Sequence, residues 1–68
     1  MNVTQKDFEY MKEALLRDML TILVEERGAT IPEAFDKLYQ SGLVQKIEDP
    51  KSGLFFQSPR YVLSYLEE

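Results

Sequence analysis

A chain of 68 residues permits one small domain. It holds no histidine and no cysteine, so it lacks the side chains behind most near-neutral acid-base, nucleophilic and metal chemistry, and also the disulfide and metal staples common in domains of this size. Twelve acidic against eight basic residues give a net charge of −4 with the two signs interspersed, which offers a polyanion no basic patch.

The first predicted element is the strongest. Thr4 followed three residues later by Asp7 has the form of a capping box, with Asp in place of Glu, and Gly28 stands where a helix commonly closes in left-handed backbone. Between them Phe8, Met11, Leu15, Leu16, Met19, Ile22 and Leu23 recur at three- and four-residue steps. At 100° per residue they span an arc of about 140°, the breadth of a helix lying on a core. This predicts a helix from about Thr4 to Arg27. Such a rod is about 34 Å long, whereas a compact chain of this length has a radius of gyration of about 11 Å, a ball roughly 28 Å across. One end is therefore expected to outreach what the remaining residues cover. Leu16, Leu20 and Val24, at successive four-residue steps, carry apolar character round one flank of its C-terminal half. Either the chain's own later helix covers them or they seat a second chain, and they are the candidate partner-binding residues.

A second helix is predicted almost at once. Thr30 and Glu33 form the two ends of another capping box, and Pro32 is tolerated in a first turn whose N–H groups have no intrahelical partner. Ala34, Phe35, Leu38 and Tyr39 are its predicted buried face and Gly42 its stop. With only Gly28 and Ala29 between them, the two helices should form an antiparallel or steeply crossed hairpin.

From Leu43 two readings stand side by side. Leu43, Val44 and Ile47 have the spacing of a short helical turn, and they equally fit one arm of a β-hairpin whose other arm is Leu54 to Gln57. Asp49, Pro50, Lys51, Ser52 and Gly53 break the chain between them. Leu54, Phe55 and Phe56 read as a short strand. Ser58 then caps a last helix with Pro59 in its first position and Tyr61, Val62, Tyr65 and Leu66 as its apolar stripe. The expected class is mainly α, becoming α+β at the margin if the hairpin forms, in a single helical domain over 1–68.

Paired carboxylates are the only catalytic groups left. Glu25 with Glu26, and Glu48 with Asp49, are adjacent and so diverge in helix or strand, which makes each a solvated surface group rather than an acid-base pair. The run E-D-P-K-S-G puts proline and lysine where a calcium loop needs oxygen ligands. The serines have no partner base, and the glycines make no phosphate-cradling pattern. Tyr10, Tyr39, Tyr61 and Tyr65 sit at helical spacing from other apolar residues and read as core or rim packing rather than base-stacking platforms. No catalytic, cofactor-binding or metal-binding residue is expected, and no enzyme. Met1 to Lys6 lacks a charged leader running into an apolar stretch, and no run approaches the ~20 apolar residues of a membrane span. A soluble cytoplasmic protein is the expectation, and the absence of cysteine fits a reducing compartment.

The C-terminal run L-F-F-Q-S-P-R-Y-V-L-S-Y-L-E, Leu54 to Glu67, resembles the end of a family of short uncharacterised bacterial proteins, the domain of unknown function thirty-seven ninety-one. In that family a leucine, a polar or aromatic step, a Q-S pair, Y-V and an apolar and acidic finish follow one another. The order of elements is similar over residues 8 to 67. Where family members often have histidine after the leucine, this chain has Phe55. The resemblance supplies no functional residues. It implies an accessory or antidote role beside a toxin-like protein partner.

A second likeness is to winged-helix DNA readers, in which K-L-Y-Q-S-G-L-V, Lys37 to Val44, would lead through a turn into a wing at Leu54 to Gln57. That architecture needs two short helices after the first, and only one fits between Gly28 and Gly42. Its wing would set Lys46 and Lys51 beside Glu48 and Asp49, with no net positive field. The leading expectation is thus a non-catalytic protein-interaction module, homodimeric or docked on a protein partner; the alternative is a small DNA-associated regulator.

Overall fold

Both capping boxes form. The structure, a computed structural model, describes residues 3–67. At the first box the Asp7 N–H donates to Thr4 Oγ1 at 3.1 Å, and the Thr4 N–H donates to the Asp7 carboxylate at 3.4 Å. Helix α1 runs from there over Gln5–Thr21. It continues without a break into a π-helical turn over Ile22–Glu26, closed by an N–H···O bond from Arg27 to Ile22 and, past Gly28 in left-handed backbone, from Ala29 to Leu23. The predicted single rod is therefore present, with its last turn widened. The long axis of the molecule is 37 Å, well beyond a ball of roughly 28 Å.

At the second box the Thr30 N–H donates to Glu33 Oε1 at 2.8 Å and the Glu33 N–H to Thr30 Oγ1 at 3.2 Å. It opens α2, Ile31–Gln40. The buried face of α2 is narrower than its sequence implies: Ala34 and Leu38 are buried, whereas Phe35 and Tyr39 are exposed. The reason is geometric. The α1 rod with its π turn and the helix after Gly42 are the main elements packed against α2, and residues one position on from Ala34 and Leu38 lie 100° round the helix from that contact.

Gly42, at φ +82°, turns the chain into α3, Leu43–Glu48. Leu43, Val44 and Ile47 are all buried, as helical spacing requires. The alternative hairpin over Leu43 to Gln57 does not form, and among the described residues there is no strand. Asp49 accepts the Lys51 N–H, and single 3-10 turns follow at Pro50–Ser52 and Leu54–Phe56. The expected strand at Leu54 is corrected by packing. Leu54 and Phe55 are both buried although adjacent, which alternation forbids, and the Phe55 ring meets Phe8 of α1 edge-on at 4.9 Å. Without that strand there is no wing.

Ser58 caps α4, Pro59–Leu63, by accepting the Tyr61 N–H, and a 3-10 turn extends it over Ser64–Glu67. Its buried residues are Val62 and Leu63, with Leu66 half-buried. Tyr61 and Tyr65, expected in the stripe, are instead exposed and meet each other edge-on, as Tyr10 is also exposed. Arg60 clasps Glu26 at the far end of the α1 rod with two hydrogen bonds of 2.9 and 2.6 Å. The fold is mainly α. Its core unites Leu15, Met19, Ile22 and Leu23 with Ala34, Leu38, Ile47 and Leu63, and among the described residues no polar or charged side chain is buried. No helix among the described residues is long and apolar enough to cross a membrane.

Candidate interaction groove

The C-terminal half of α1 presents Arg17, Leu20, Thr21 and Val24 along one strip, ending at Glu25 in the π turn. In an α-helix a four-residue step overshoots a full turn by 40°; the wider π turn reduces that overshoot and keeps Val24 in line with Leu20. Across from this strip, Ile31 and Phe35 of α2 form the second wall. Between them lies an open groove of about 370 Å³. Leu20 and Val24 are half-buried, packed against the core on their inner side and lining the groove on the other. Ile31 is 61% exposed and Phe35 44%. The apolar row continues to Tyr39, whose ring stacks on Phe35 at 6.4 Å.

Of the three residues singled out in the sequence, Leu20 and Val24 meet in the groove, while Leu16, also half-buried against the core, does not line it. The wall that sequence reasoning missed belongs to α2. Spacing from Ala34 and Leu38 places Phe35 in the core and leaves Ile31 unassigned, yet Ile31, Phe35 and Tyr39 stand at four-residue steps, the same signal that marks the flank of α1.

The groove's polar groups are on its rim. Arg17 and Glu25 stand four residues to either side of Thr21. Among the described residues neither charged group has an ion-pair partner. Glu26 turns the other way, and the hydrogen bond from Arg60 holds its carboxyl below the usual carboxylate range. The two adjacent carboxylates thus diverge, one to the groove and one to α4, too far apart in direction to share a proton. Thr21 donates its hydroxyl to the Arg17 carbonyl at 2.9 Å, so it adds no unpaired polar hydrogen of its own to the strip. Among the described residues no three acidic side chains gather where they would hold a metal ion. Chemically the arrangement can offer an apolar trough with one positive and one negative end. Comparison with family models, curated proteins and solved structures returns no match.

Proposed function

We propose that this chain is a non-catalytic protein-interaction module that receives the apolar face of a protein helix in the groove between α1 and α2. The observation that carries the reading is the exposure of Ile31 and Phe35 beside the open sides of Leu20 and Val24. Every other exposed position of α2 bears a polar or charged residue or the first-turn proline, apart from Tyr39 in the same row. The exposed parts of these apolar groups stabilise nothing within the monomer, whereas covering them gains roughly 25 cal/mol for each Å² removed from water. A hydrophobic groove is the surface into which an amphipathic helix lays its apolar face. A reducing, cytoplasmic setting suits a chain without cysteine. An accessory role beside a protein partner, implied by the likeness of Leu54–Glu67 to a family of short bacterial proteins, is one use of such a groove.

The test is a photo-crosslinking amino acid placed at Ile31 in cells producing the full chain. The reading expects one discrete product, whether with itself or another protein, lost on Leu20→Glu and absent when the crosslinker stands at the exposed Gln45 of α3. A smear, no product, or the same product from position 45 would overturn it.

A further inference from the structure

Resting on that reading, we infer that the occupant of the groove is a second copy of this chain, crossing antiparallel so that the two α1 helices meet at Thr21. The charge pattern selects this occupant. In an antiparallel pair related by a two-fold axis at residue 21, a residue k positions before Thr21 faces the residue k positions after it in the other copy. Arg17 then faces Glu25 of the second copy, and Glu25 faces its Arg17. Both rim charges find opposite partners at once. A parallel pair would set arginine beside arginine, and a ligand of uniform charge would match one end of the groove and oppose the other.

The remaining chemistry agrees. The residue at the crossing, Thr21, has its hydroxyl already donated to the Arg17 carbonyl, so covering it strands no hydrogen-bond donor. Leu20 and Val24 lie on one side of the Arg17–Thr21–Glu25 row, the side on which α2 places Ile31 and Phe35. The two-fold operation keeps both copies of that apolar set on the same side of the crossed helices. An apolar patch therefore forms along one side of a row that holds the two charge pairs, so apolar contact is edged by satisfied polar groups, as at a protein interface. An interface of standard size covers about 800 Å² per partner, about a sixth of the 4823 Å² this chain exposes, and the 37 Å long axis leaves room for it. The net charge of −4 opposes association only weakly. The groove rim carries one charge of each sign, and charges beyond a Debye length of about 8 Å are screened at physiological salt.

The inference is tested by sedimentation equilibrium of the full chain across micromolar concentrations, with circular dichroism to confirm that each variant folds. The wild type is expected to dimerise. Arg17→Glu alone and Glu25→Arg alone each place two like-charge pairs across the axis, and each should weaken the dimer about tenfold or more. The double variant R17E/E25R restores both pairs and should recover wild-type association. Mixing the two single variants should do the same, because in the mixed dimer each charge again meets its opposite. A wild type that remains monomeric, single variants that associate like wild type, or no recovery in the double variant or the mixture would overturn it. The two levels separate cleanly. A monomeric wild type that still gives a discrete heterologous crosslink at Ile31 removes the second copy and leaves the interaction module standing, while loss of every crosslink removes both.

Discussion

Replacing Val44 by alanine probes whether the segment after Gly42 is held as a helix. Val44 is 2% exposed and shares the inward face of α3 with Leu43 and Ile47. Truncation removes two methyl groups, worth about 1.6 kcal/mol of transfer free energy. The space they leave adds about 1 kcal/mol where neighbours do not collapse. Alanine's better helix propensity returns about 0.6 kcal/mol. The expected loss is about 2 kcal/mol, against a total of roughly 3 to 10 kcal/mol for a domain of this length. That corresponds to a melting temperature lower by about 8 to 16 °C. The partner experiment is Gln45→Ala on the exposed side of the same helix, expected within about 0.5 kcal/mol of wild type. Had the segment been a strand, Gln45 would share a face with Leu43 and Ile47, and Val44 would lie opposite. Urea and thermal unfolding followed by circular dichroism measure both. Val44→Ala costing less than about 0.5 kcal/mol, or less than Gln45→Ala, would refute the reasoning.

At Gly42, φ is +82° and an added Cβ would meet nothing within 4 Å, so Gly42→Ala should cost about 1 to 2 kcal/mol through backbone conformation alone. Gly42→Asn should cost less, and equal unfolding midpoints for all three proteins would contradict a left-handed turn there. Acid should weaken the fold through two carboxylates held below the ordinary range, Glu26 by the hydrogen bond from Arg60 and Glu33 by the backbone hydrogen bond at Thr30. For such groups the unfolded chain binds protons first, so their contribution is complete above the unfolded-state pKa and is lost as pH falls through the lower folded values. The melting temperature should therefore drop on acidification through the glutamate range, and the doubly substituted Glu26→Gln, Glu33→Gln protein should show a shallower drop; an unchanged slope would exclude these groups. Finally, duplex DNA near physiological salt should give no mobility shift, whereas a shift with steep salt dependence would favour a DNA-associated role.

What the sequence disclosed, it disclosed where the deciding contacts are local. Thr4 with Asp7, Thr30 with Glu33, and Ser58 with Tyr61 form their caps within three residues, and each was legible. Leu54 to Phe56 was not, because β-propensity describes fit to a pleated surface, and what fixes Phe55 is the ring of Phe8 near the other end of the chain. Spacing identified Phe35, Tyr39, Tyr61 and Tyr65 as sharing faces with core residues, but it does not say how wide a face the neighbouring elements cover. The same gap hid half of the groove. Its α1 wall, Leu20 and Val24, stood out as apolar residues in excess of a core-facing stripe, while Phe35 was absorbed into a stripe that the packing makes narrower.

The narrowness of that stripe follows from one small side chain. Ala34 is fully buried, and with only a methyl group at the contact the backbone of α2 can approach the α1 rod closely. Phe35, 100° round the helix, is carried to the edge of that contact, where with Ile31 it lines the groove together with Leu20 and Val24. The π turn acts in the same direction by keeping Val24 over Leu20 rather than letting it drift away. Groove and core are thus two consequences of the same packing, and the groove does not require its apolar far wall for the monomer to hold together. Glutamate or lysine at positions 31 and 35 would solvate that wall without disturbing Ala34 or Leu38. The surface that Ile31 and Phe35 still expose lowers the free energy only in a state where water has been removed from it, which is the physical ground for placing a second helix there.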